Sequence, residues 1–201
     1  MKAIEIGRLL RASTTEFVVG CRAAQLTAPS FGALVRVPLD DGSQIFGLIY
    51  DIHIDDDGLV RQLVTAQVAD EAVIADNRQN RNVPLEMSVL TVGCQQDVNI
   101  SHLLPPRPPL SLDVIYLCDG DEIRNFTSAG RFGYFRHILR NQDIPVGELL
   151  AAHLQQAQAA HTEAGNLSWS KDSAQELITL LRDDYPTLMS VLGAVSDIPD
   201  F

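Results

Sequence analysis

The chain has 201 residues, 46% of them hydrophobic and 20% charged, which is enough apolar content to bury a core and is not the balance of a disordered chain. Its formal net charge is −11, divided as −5 over residues 1–118 (nine basic, fourteen acidic) and −6 over residues 119–201 (six basic, twelve acidic). Acidity in both halves argues against broad electrostatic binding to a phosphate backbone, which needs clustered Lys and Arg. Cys21, Cys94 and Cys118 are odd in number, widely spaced and form no C-x-x-C, so they read as buried small hydrophobes in a reducing compartment. Glu5 and Arg8 interrupt what would be the apolar region of a secretory signal, and no apolar run approaches the ~18 residues of a membrane span. The expectation is a cytoplasmic protein without a membrane span.

Residues 3–10 alternate Ile4 and Ile6 against Glu5, the period of a first strand; 11–15 are a turn, and 16–22 a second strand with Gly20 inside it. Residues 27–32 are a loop. Residues 33–54 then hold two β-rich runs separated by Asp40, Asp41 and Gly42, and Asp-Gly tolerates the positive φ of a tight hairpin. Gly47 interrupts the second run and marks a bulge, a barrel corner or a close backbone approach. Residues 55–58 are a turn, and a calcium loop through His53, Asp55, Asp57, Gly58 and Val64 fails at its first and last ligands.

Residues 59–82 read as an insertion that includes a helical stretch at 70–80, and 83–94 as a fifth strand. Four prolines flanking Arg107 make residues 103–112 a stiff polyproline-like strap, and 113–118 form a last strand. Beyond Asp119 the pattern turns helical. Pro145 opens a helix that Gly165 and Asn166 stop. Ser170 caps a second helix with apolar face Ala174, Leu177, Ile178 and Leu181. Tyr185-Pro186 breaks the chain before a last short helix over 188–195. The fold class is therefore α+β: a small closed β-barrel of about six strands over residues 1–118, then a helical region over 119–201.

Catalytic motifs are missing. Neither Lys2 nor Lys171 follows a glycine, so no phosphate-cradling G-x-x-x-x-G-K loop exists, and there is no G-x-G-x-x-G or G-x-S-x-G. The five histidines form no H-x-x-x-H, and His153 and His161, two turns apart on one helix, read as surface or boundary residues. Asp119, Asp121 and Glu122 surround Gly120; a metal-dependent hydrolase uses such clusters, but a turn followed by a helix N-terminus is the plainer account. No enzyme activity, cofactor or metal is expected.

Between residues 124 and 140 there is no acidic residue. Arg124, Arg131, Arg136 and Arg140 with Phe132 and Tyr134 are the candidate contacts for nucleic acid or a partner, since arginines bind phosphates while aromatics stack bases. Against this, Phe132, Phe135, Ile138 and Leu139 suit a packed junction, with the arginines paired to the chain's own acids.

Several short pieces of the β-region combine into a known pattern: Ile6-Gly7-Arg8, Thr15-Glu16-Phe17, Leu34-Val35-Arg36-Val37, Asp41-Gly42, Phe46-Gly47-Leu48-Ile49, Val89-Leu90, and the prolines 105–109 with Val114. Together they resemble the HAS barrel, the small barrel shared by HerA-type DNA translocases and the N-terminal domains of rotary ATP synthase subunits. The resemblance covers residues 4–118. Where a HerA-like chain continues into its nucleotide-binding core, this sequence has a short helical region and no ATPase motif. The resemblance implies a barrel used for subunit contacts, a non-catalytic adaptor or assembly module that takes a protein partner or self-associates. The alternative it implies is an accessory factor in DNA processing beside a HerA-like translocase, with the arginines on phosphate.

Overall fold

The computed structural model describes residues 3–21, 29–54, 65, 71–79 and 85–198. Strands β1 (Ile4–Ala12), β2 (Glu16–Cys21), β3 (Leu34–Pro38), β4 (Gln44–Ile54), β5 (Leu85–Gln96), β6 (Asn99–Ser101) and β7 (Val114–Leu117) form an antiparallel sheet in the order β2-β1-β7-β3-β4-β5-β6. Because β2 also pairs with β5, from Glu16↔Leu90 to Cys21↔Leu85, six strands close into a barrel and β6 hangs from β5 as a short hairpin. The three residues of β6, Asn-Ile-Ser, are too few and too polar to show a strand period, so the sequence does not announce it.

The β3–β4 hairpin forms where Asp41-Gly42 places it. Gly42 has φ +82°, and the Asp41 carboxylate accepts from the Ser43 amide at 3.0 Å, the local turn chemistry of Asp. Gly47 serves closure. The β4–β5 register shifts between Phe46 and Gly47, and a Cβ at Gly47 would sit 2.4 Å from Val89 Cγ1. Only a residue without a side chain lets the two strands bend together there.

Two cores share the barrel wall. Ile6, Leu9, Phe17, Val35, Val37, Ile45, Ile49, Met87, Val89 and Ile115 fill the interior. The alternate residues Leu34, Phe46, Leu48, Leu90 and Val92 face outward and join Phe126, Tyr134, Phe135, Leu150 and Leu154 of the helical region in a second core. Strands covered on both faces lose the apolar–polar alternation. That is why Ile45 through Ile49 and Met87 through Gly93 are buried without interruption.

Helix α1 (Glu71–Gln79) lies in the stretch expected to be helical. The expected turn at 55–58, the rest of the insertion, residues 27–28 of the first loop and the tail 199–201 fall outside the described residues. The C-terminal helices are α2 (Gly120–Ser128), a 3-10 turn (Ala129–Phe132), α3 (Phe135–Leu139), α4 (Val146–Glu163), α5 (Trp169–Leu181) and α6 (Tyr185–Val195). Three details differ from the sequence reading. Helix α5 begins at Trp169, so Ser170 lies inside it, and its buried face is Trp169, Ser173, Leu177 and Leu181 while Ile178 is exposed. Pro186 opens α6 rather than breaking the chain, because a first-turn amide has no intrahelical acceptor to lose and Asp184 caps the helix from the Thr187 amide. His153 and His161 are not surface residues; they are buried against the barrel and against Trp169.

Among the described residues no helix is long and apolar enough to cross a membrane.

Candidate functional site

The segment that follows the barrel is built as a joint. Asp119 and Glu122 make a reciprocal capping box on α2, each side chain accepting from the other's amide at 3.0 Å. Glu122 also pairs with Arg36 on β3 at 2.6 Å, and the Arg36 guanidinium lies 5.1 Å from the Tyr116 ring centroid. The acidic cluster 119–122 thus ties helix to barrel. Among the described residues no group of three or more His, Cys, Asp or Glu is placed to hold a metal ion.

The chain then turns sharply. Gly130, Arg131 and Phe132 all take the left-handed backbone conformation, with φ of 52°, 51° and 58°. For the two non-glycine residues this costs about 1–2 kcal/mol each, so the surroundings must hold it. Phe132 stacks on Phe135 at 5.3 Å and leans on Trp169 at 5.7 Å, and Gly130 lies so close to His102 that a Cβ would come 2.8 Å from the ring Nδ1. The turn sends α3 back across the barrel wall over β5.

Helix α3 is pinned there by one carbonyl. The main-chain oxygen of His102 accepts from Arg136 Nη2 and from His137 Nε2, the latter at 2.8 Å. A carbonyl only accepts, so His137 Nε2 carries the proton. Burial, followed by the Arg136 and Arg140 charges, lowers the His137 pKa despite this bond, so the ring is neutral near pH 7 and its Nδ1 is an acceptor.

The six candidate residues therefore separate. Arg124 is held by Asp121 and reaches the Ala160 carbonyl at 3.4 Å. Arg131 is exposed and sits 3.7 Å from Glu176. Phe132 is half-buried in the joint. Tyr134 is 0% exposed, and its hydroxyl donates to His153 Nε2 at 3.2 Å. Only Arg136 and Arg140 come together. They lie one helical turn apart and line a cleft of about 570 Å³ with Thr15, Leu90, Thr91, Leu104, His137, Asn141, Gln142 and Asp143. Among the described residues neither arginine makes an ion pair, whereas Arg124 and Arg131 both do. Two further clefts are lined by acidic and neutral side chains, one including Glu122 and the other Glu148 and Asp184.

No protein-family model matches the chain, and no curated protein matches it. The site must be read from its own residues.

Thr15, Thr91 and Leu104 are absent from any sequence-based list, because the β1–β2 turn, the middle of β5 and the strap meet α3 only once the barrel has closed. Asn141 and Gln142 had one visible signal, their position directly after the acid-free stretch.

Proposed function

We propose that this chain is a non-catalytic assembly module of the HAS-barrel type, in which the strap face of the barrel contacts a second copy of the chain. The observation that carries the reading is the strap itself. Leu110 and Leu112 are each 68% exposed on a segment whose backbone is fixed. Leu112 donates its amide to Leu9 at 2.8 Å and its carbonyl accepts from Arg8 Nη1 at 3.1 Å, while the Leu110 amide donates to Asp113 at 2.7 Å. Leu112 also holds a left-handed φ of 74°, a strained conformation spent on keeping a leucine in water. Apolar side chains displayed on a preorganised backbone bind with little ordering cost.

The barrel interior supports this reading, since apolar side chains fill it and leave the outer surface to do the work. The thiols of Cys21, Cys94 and Cys118 are free, which fits the cytoplasmic setting we assign. The DNA-processing alternative has less support: with Phe132 and Tyr134 packed inside and Arg124 and Arg131 paired with acids, no continuous cationic track among the described residues accompanies the two cleft arginines.

The test is capture of an untagged copy by a tagged one. The wild-type pair should be retained. A Leu110→Glu/Leu112→Glu double variant, which alters only exposed side chains, should lose retention with its melting curve unchanged. Equal retention by both would count against the strap.

A further inference from the structure

The arginine cleft has no role in strap-mediated assembly, yet it carries the marks of a binding site. Its walls come from three separate parts of the chain: the β1–β2 turn and β5 of the barrel, the strap, and α3 with the loop after it. Two guanidiniums enter it without acidic partners among the described residues. The Arg136 fork is oriented by its bond to the His102 carbonyl and keeps further donors free. Asn141 uses its side-chain oxygen on the Asp143 amide at 3.0 Å, which leaves its NH₂ group to donate elsewhere.

Thr91 also lines the cleft, but from a position between the outward-facing Leu90 and Val92, with its side chain on the interior side of the barrel wall, so the donors presented to the cleft are the two guanidiniums and the Asn141 amide.

We propose that this cleft binds a phosphomonoester on a small molecule, with Arg136 and Arg140 on the phosphoryl oxygens and the Asn141 amide as a further donor. The donor set decides between anions. Two guanidinium forks and an amide outnumber what one carboxylate can accept, and they match a dianion with three terminal oxygens. Leu90 and Leu104 give the ligand's body an apolar wall, and the volume is within the range of small-molecule sites. Asp143 on the same lining disfavours a ligand carrying further negative charge, and so does the net charge of −11. A nucleic-acid strand is the poorer fit, because among the described residues no Phe, Tyr or Trp lines the cleft.

The experiment is calorimetric titration of the full chain at low salt with glycerol phosphate, glycerol, succinate and a single-stranded DNA oligonucleotide. Glycerol phosphate should bind, and glycerol and succinate should bind at least about ten-fold more weakly. Arg140→Gln, a change at an exposed side chain, should weaken glycerol phosphate about ten-fold or more without shifting the melting temperature. Any one of four results would overturn the proposal: no heat with glycerol phosphate at about 10 mM, equal affinity for succinate, unchanged affinity in Arg140→Gln, or oligonucleotide binding that glycerol phosphate does not displace. The strap double variant should bind glycerol phosphate normally, so this site and the assembly surface fail or succeed independently.

Discussion

The inside and the outside of one barrel wall are built to different rules. The interior is hydrocarbon: Leu9, Phe17, Val35, Ile45, Met87 and Val89 interlock with no ionisable group among them apart from the Cys21 thiol. The outer seam, where β3, β4 and β5 meet the helices, is equally buried but threaded with polar groups. His153 donates through Nδ1 to the Gly32 carbonyl at 3.3 Å and accepts from Tyr134, and Gly32 approaches α4 so closely that a Cβ would lie 2.6 Å from Ala152 Cβ. His161 donates to Thr127 Oγ1 at 2.8 Å, accepts from Asn166 and stacks on Trp169 at 4.6 Å. His102 donates to the Phe126 carbonyl at 3.0 Å and packs between Phe126 and Tyr134. Hydrophobic filling tolerates exchanges that keep volume and pattern; directional bonds fix which helix lies where. The lesson is that the interior supplies stability while the seam supplies position, and the cleft opens from the seam.

The largest effect should come from the interior. Phe17 is fully buried there, and Phe17→Ala should cost about 3–5 kcal/mol, read as a lowered urea midpoint with the slope preserved. A loss under about 1 kcal/mol would mean that the interior is not packed as described.

Acid should act on the seam and spare the interior. Burial lowers the His153 pKa to about 4 and lowers those of His102 and His161 as well, so between the ordinary histidine value and these lower ones the unfolded chain binds more protons than the folded one. Stability is then greatest above about pH 6.5 and falls as the pH drops toward 4, with roughly 3 kcal/mol from His153 alone. Urea midpoints at about pH 7 and about pH 5 should differ in that direction, and His153→Phe should reduce the difference. Midpoints that coincide would contradict the buried, neutral histidines.

The smallest effect belongs to the surface. Arg131 lies 3.7 Å from Glu176 with its side chain 89% exposed, so Arg131→Ala should change stability by less than about 0.5 kcal/mol. It should also leave any phosphate affinity unchanged, in contrast to Arg140→Gln. An effect of Arg131→Ala on ligand binding would mean that the acid-free stretch acts as a whole and not through the cleft.

The hairpin at Asp41-Gly42, the bend at Gly47 and the helix cap at Asp119 were legible because each depends on chemistry within a few residues. The acid-free stretch was legible only as a composition. Which of its arginines stay unpaired depends on acids elsewhere, Asp121 for Arg124 and Glu176 for Arg131, and the second lies 45 positions away in sequence. The burial of His153 and His161 was hidden for a similar reason. Their partners, Gly32 and Thr127, sit on other elements, and a histidine at helical spacing looks the same whether its face meets water or a barrel. Thr91 reads as one more residue of a strand, and its unpaired hydroxyl exists only once the barrel has closed.

The central claim, that the chain assembles through its strap, is tested most directly by static light scattering over a concentration series. The account predicts a mass that rises above the 22.0 kDa of one chain for the wild type and stays at one chain for Leu110→Glu/Leu112→Glu. A wild-type mass of one chain at every concentration, matching the double variant, would contradict it.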